Sequence, residues 1–163
     1  MRATVLTSAM TAAAAAVGTL GAKTDTAWYR ELQKPAWQPP AIAFPLVWTP
    51  LYVTIGWGTG RLVEAAPSQR GRLLGLVAAD LAANAGWNWA FFDRRSPAAG
   101  LGVLAVLDVL NAALLRESLR HDRVAAATLT PYAAWCGFAT ALNVALWRRN
   151  RTAGRAGRSA PAS

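Results

Sequence analysis

Residues 72–92 read RLLGLVAADLAANAGWNWAFF, a stretch about as long as the ~20 mainly apolar residues that an α-helix needs to cross a bilayer. A step of 100° per residue places Asp80, Asn84, Trp87 and Phe91 in one narrow sector of that helix, and Gly75, Ala79, Ala82, Ala83 and Gly86 on a different face. Small residues at this spacing suit the close approach of another helix, in the same chain or in a second copy. A polar and aromatic stripe is costly against lipid and belongs inside a bundle or beside a cavity. Interhelical hydrogen bonding and core packing account for Asn84 and Trp87 as well as a binding role does.

Working outward, comparable apolar stretches occupy residues 3–22, 43–63, 98–115 and 124–147, each bounded by charge. Across 163 residues, 54% hydrophobic and 15% charged composition excludes a disordered chain, and five spans leave little for a water-soluble domain. The expected fold is an all-α membrane protein, a five-transmembrane-helix bundle over residues 1–150 followed by a basic, disordered tail, 151–163. The first stretch has a second reading: Met1, Arg2 and the alanine run 12–16 resemble a secretory signal, although Leu20 stands where cleavage after Ala22 wants a small residue.

The three later loops are short, which predicts antiparallel neighbouring helices in contact. The first loop, from Lys23 to Ile42, is long, carries Trp28, Tyr29 and Trp37, and is stiffened by Pro35, Pro39 and Pro40. Such aromatics fit a functional loop better than a disordered one. The formal charge of +9 is largely a tail effect, with Arg148, Arg149, Arg151, Arg155 and Arg158 in the final sixteen residues. Directly after an apolar segment, this marks the cytoplasmic side of a membrane rather than a nucleic-acid site. Ten Lys and Arg fall on the side of the long loop and carboxyl terminus against seven on the other, which favours a cytoplasmic carboxyl terminus.

Two further stripes accompany the first: Phe44, Trp48, Tyr52 and Ile55, and Pro131, Trp135, Phe138, Ala139 and Leu142. Pro131 removes a backbone donor and predicts a kink. Three inward aromatic stripes and one amide describe a flat apolar pocket suited to a large planar ring system. Asp80 and Asp108 are the acids deep in the spans; each suits a functional role or a hydrogen bond to a neighbouring helix. The lone Cys136 excludes an internal disulfide, and His121, expected in a solvated loop, has no partner for a metal site. Motifs of nucleotide binding, zinc proteolysis or serine hydrolysis are absent.

The motifs taken together resemble the TspO/MBR family of translocator proteins and tryptophan-rich sensory proteins. They are WYxxLxKPxWxPP from Trp28 to Pro40, FPxVWxxLYxxxGxG from Phe44 to Gly58, NxxWxxxFF from Asn84 to Phe92 and PYxxWxxFAxxLN from Pro131 to Asn143. The resemblance implies a bacterial member with five transmembrane helices, forming a homodimer in the cell membrane, each protomer with a pocket capped by the first loop. It implies a receptor or sensor that binds tetrapyrroles such as protoporphyrin IX and haem, requires no cofactor and takes no nucleic acid as partner. Trp48, Asn84, Trp135 and Ala139 match the family's pocket positions, with Trp37, Tyr52, Trp87, Phe91, Phe138 and Leu142 around them. Some bacterial members are similar in degrading porphyrin under light, for which Trp48 and Trp135 are the catalytic residues implied. Transport of porphyrin or sterol is a further alternative, but the sterol-recognition pattern after Leu142 lacks its central Tyr, and Asp80 stands where animal relatives commonly carry a neutral amide.

Overall fold

The computed structural model describes residues 2–156, with side chains described as far as Arg151. The expected tail thus lies partly outside the described residues: its backbone continues the last helix to Ala156, and residues 157–163 are not described. The chain is all-helical over the described residues. Its helices are α1 (Arg2–Gly21), α2 (Ala27–Glu31), α3 (Ala43–Ala65), α4 (Arg70–Asn88), α5 (Pro97–His121) and α6 (Arg123–Ala156). A 3-10 turn (Pro67–Gln69) precedes α4 and a π turn (Trp89–Asp93) ends it.

Two helices, α1 and α5, combine the length and the apolar composition needed to cross a membrane. The other three long helices carry Trp48, Tyr52, Asp80, Asn84, Trp135 and Asn143, and these polar and aromatic groups lower their mean hydropathy. The short helix α2 falls within the expected first loop, where the Thr26 hydroxyl caps it by accepting from Tyr29 N at 3.3 Å.

The long helices form a closed ring in the order α1, α3, α6, α5, α4. Although α3 and α4 are joined by a short link, they touch sparingly, because α1 lies between them; the expectation that each short loop joins contacting neighbours fails here. The α1–α3 seam explains the wedge. Thr7 Oγ1 donates to Gly56 O at 2.7 Å, and α3 offers Gly56 and Gly60 to Ser8 and Thr4 so closely that a Cβ on Gly60 would lie 2.4 Å from Thr4 Cα. On its other side α1 packs Gly18 against Ala85 of α4, while the Trp89 indole donates to Val17 O at 3.1 Å. The small-residue face of α4 is thereby left outward, with Gly75, Ala79 and Ala82 exposed.

At the end opposite the long loop, a single residue joins α5 to α6. Asp122 Oδ1 accepts from Val124 N at 2.8 Å and Ala125 N at 3.1 Å, capping α6, and its Oδ2 accepts from Arg61 at 2.7 Å. Burial pushes this carboxyl up, but the two backbone donors and the guanidinium outweigh it and hold the group below the ordinary aspartate range. His121 is the last residue of α5 rather than a solvated loop residue: half-buried, it lies 3.1 Å from Gln69 Nε2 and 3.7 Å from Glu117, which also pairs with Arg72 at 2.7 Å. Helix α6 runs unbroken through Pro131, so the missing donor does not interrupt it.

Substituting Gly60→Val forces α1 away from α3 and lowers stability by about 1–3 kcal/mol, whereas Gly75→Ala, with open space around the new methyl, does not. Thermal unfolding of both variants in detergent checks this. Asp122→Ala costs about 0.5–2 kcal/mol at neutral pH. Because the folded pKa is depressed, that contribution is whole above the unfolded value of about 3.9 and disappears as pH falls through the lower folded value. Unfolding curves of wild type and variant therefore converge in acid.

Candidate functional site

The ladder of α4 loosens at its carboxyl end into the π turn, where Arg94 N donates to Trp89 O at 2.9 Å and Ser96 N to Phe91 O at 3.1 Å, each five residues on. Within this turn Phe91 and Phe92 are both buried and both line the interior of the bundle. Arg95, with φ of 51°, then reverses the chain toward α5.

Inside the ring lies a cavity of about 480 Å³, within the ~300–1,000 Å³ common for small-molecule sites. All five long helices contribute to its wall, and Thr24, Tyr29 and Gln38 of the first loop close it. Of the ten residues expected at a ligand site, Trp48, Tyr52, Asn84, Trp87, Phe91, Trp135, Phe138, Ala139 and Leu142 line it. The tenth, Trp37, does not: half its surface is exposed, and its ring stands edge-on behind Phe138 at 5.8 Å. Pro131 is exposed and turns away, and the fully buried Tyr132 takes the inward place.

Flat walls come from three stacked ring pairs, one on each of three helices. Trp48 lies over Tyr52 at 5.2 Å, Trp87 over Phe91 at 5.3 Å and Trp135 over Phe138 at 5.1 Å. Among the described residues, none with a charged side chain lines the wall. Two of its polar groups are tied to others behind it: Tyr52 OH donates to Asn84 Oδ1 at 3.4 Å, Asn84 Nδ2 to Tyr132 OH at 3.2 Å, and Tyr132 OH to Asp80 Oδ2 at 2.8 Å. A second set is centred on Asn143, which accepts from the Trp87 indole at 3.2 Å and donates to Pro97 O at 2.6 Å. Asp108, the other acid, accepts from Thr140 of α6 at 2.7 Å, a link between helices rather than a cavity group.

The loop is held down along its length. Trp28 and Tyr29 pack edge-on against Phe91 and Phe92, and Leu32 is buried against Leu142 and Leu146. Gln33 exchanges backbone hydrogen bonds with the Asn150 amide at 3.0 and 3.3 Å, while Lys23 pairs with Asp93 at 2.5 Å. Burial raises the Tyr29 phenol above its usual pKa, and the hydroxyl accepts from Gln38 at 3.4 Å. Sequence patterning missed Tyr132 and Asn143 as site residues. Tyr132 is three residues before Trp135, and Asn143 four before Trp147, so helical spacing alone contained a signal for each.

This arrangement can enclose a flat, largely apolar molecule and offer it hydrogen bonds, but its wall supplies no carboxylate or imidazole for proton transfer. Among the described residues no cluster of His, Cys, Asp and Glu could hold a metal ion. The features define an all-helical membrane protein with an aromatic cavity between its helices. Residues 5–148 match the model of the TspO/MBR family, and the chain belongs to that family. It is 37% identical to the tryptophan-rich sensory protein of Cereibacter sphaeroides, over 85% of this chain and 87% of that protein. It is 36% identical to the translocator protein of Homo sapiens, over 82% of this chain and 80% of the relative, and 34% identical to protein CrtK of Rhodobacter capsulatus, over 76% and 79%.

Asn143→Leu leaves the Trp87 indole without its partner at nearly constant volume and removes the side-chain bond to Pro97 O. The orphaned indole costs about 1–3 kcal/mol. The variant is expected to unfold at lower temperature with an altered tryptophan emission, which calorimetry and fluorescence check.

Proposed function

We propose that this chain is a five-span membrane receptor or sensor that binds tetrapyrroles, protoporphyrin IX or haem, in the cavity between its helices. The observation that carries the proposal is the uncharged cavity of about 480 Å³ faced by three stacked aromatic pairs and closed by the first loop. Stacked rings on several sides complement a planar macrocycle, and the family membership supports the five-span reading. No cofactor beyond the ligand enters this reading, nor does nucleic acid. The outward small-residue face of α4 supports a homodimer, and the arginines after α6 support a cytoplasmic carboxyl terminus in a bacterial cell membrane.

A second reading is light-dependent porphyrin degradation. It is favoured by the presence of the Trp48 and Trp135 indoles on the wall, side chains able to pass an electron to or from a stacked macrocycle. One experiment serves both: titration of detergent-purified protein with protoporphyrin IX, followed by tryptophan quenching and porphyrin absorbance, in darkness and then under light. Saturable dark binding is expected, weakened up to about tenfold in Trp48→Phe, Asn84→Ala and Trp135→Phe. Equal saturation in all four proteins overturns the binding site; protein-dependent loss of the porphyrin band, abolished in Trp135→Phe while binding persists, selects the enzymatic reading.

A further inference from the structure

The buried chain from Asp80 to Tyr52 has a direction. Tyr132 has one proton to donate, and it goes to Asp80 Oδ2 at 2.8 Å; both side chains are at most 1% exposed. The phenol oxygen is then left as an acceptor, which Asn84 Nδ2 fills at 3.2 Å. The Asn84 amide therefore turns its carbonyl the other way, toward Tyr52, whose hydroxyl donates to it across a long 3.4 Å. With its proton committed, Tyr52 also offers lone pairs. A carboxylate only accepts, so with Asp80 ionised the chain runs from Tyr52 toward Asp80, whereas a proton carried on Oδ2 would be donated to Tyr132 and turn the whole chain round.

We infer that ionised Asp80, acting through Tyr132, fixes the hydrogen-bond polarity of the cavity floor, so that the site selects planar ligands presenting an N–H or O–H donor there. Asn84 and Tyr52 line the cavity, whereas Asp80 and Tyr132 stand behind it and do not. Asp80 and Tyr132 are thus positioning residues, and the ligand class they impose is a flat polycycle with a donor on its inner edge, such as the lactam or pyrrole N–H of an open-chain tetrapyrrole. The inference rests on the cavity being a site for planar ligands. Trp48 and Trp135 also line the cavity, and they are unchanged in the variants below.

Three tricycles of similar shape test this: carbazole, which donates through its N–H, 9-methylcarbazole, which does not, and acridine, which accepts. Wild type is expected to bind carbazole at least about fivefold more tightly than 9-methylcarbazole. In Asp80→Leu the Tyr132 proton has no acceptor but Asn84, the amide turns over, and the carbazole-to-acridine affinity ratio falls at least about fivefold. Tyr132→Phe lowers the same ratio by removing the relay, and adding Asp80→Leu to it changes nothing more. A ratio constant within about twofold in either single variant, or an equal shift from Asp80→Leu in both backgrounds, overturns the inference. Should Asp80→Leu fail to fold, the Tyr132→Phe ratio decides alone. Protoporphyrin IX bound without discrimination among tricycles sinks this inference and not the tetrapyrrole reading; discrimination without protoporphyrin binding does the reverse, and no binding of any probe overturns both.

Discussion

A polar side chain inside an apolar bundle has to find its partner within that bundle, and nearly every helix contact in this protein is arranged around one such pair. Thr7 of α1 reaches the Gly56 carbonyl of α3. Asp108 and Thr140 join α5 to α6, while Asn143 holds α6 to the first turn of α5 and to the Trp87 indole beside α5. Asp80, Tyr132, Asn84 and Tyr52 connect α4, α6 and α3 across the centre. Dispersion and small-residue packing bring the helices together, but these bonds settle which rotation of each helix faces inward. The cavity is what remains where large rings stack instead of interdigitating.

Rings and loop are one assembly. The π turn after α4 presents Phe91 and Phe92 together, and Trp28, Tyr29 and Leu32 of the first loop pack onto them. The same phenylalanine that forms a wall of the cavity, Phe91, is thus also the seat of its cover. Pinning at Lys23–Asp93 and Gln33–Asn150 holds both ends of that cover against the bundle.

Much of this was legible in the sequence, because the 3.6-residue period of apolar and aromatic residues identifies both the helices and their inward faces. Nine of the ten expected residues reach the cavity wall for that reason. Trp37 does not, since a loop has no period from which to read the direction of a side chain. The stripe points to Pro131 where the structure turns Tyr132 inward, because a one-residue choice at the edge of a stripe rotates the face by 100°. The π turn breaks the period itself, and the stripe includes Phe91 but not Phe92. A short loop predicts packed neighbours, and between α3 and α4 that fails: loop length limits how far apart two helices are, yet it does not stop α1 from entering between them, where its glycine and threonine contacts hold it.

That ring order has a consequence for the making of the protein. The wall draws on residues from Thr19 of the first helix to Leu146 of the last, and the ring closes only where α6 meets α3. During synthesis from the amino terminus, the aromatic faces of α3 and α4 are complete long before their counterpart exists. A ligand that fills the cavity has nothing to bind until the final helix is in place, and then stabilises the closed ring by mass action. Occupancy of the cavity therefore reports on the completeness of the polypeptide as well as on the abundance of the ligand.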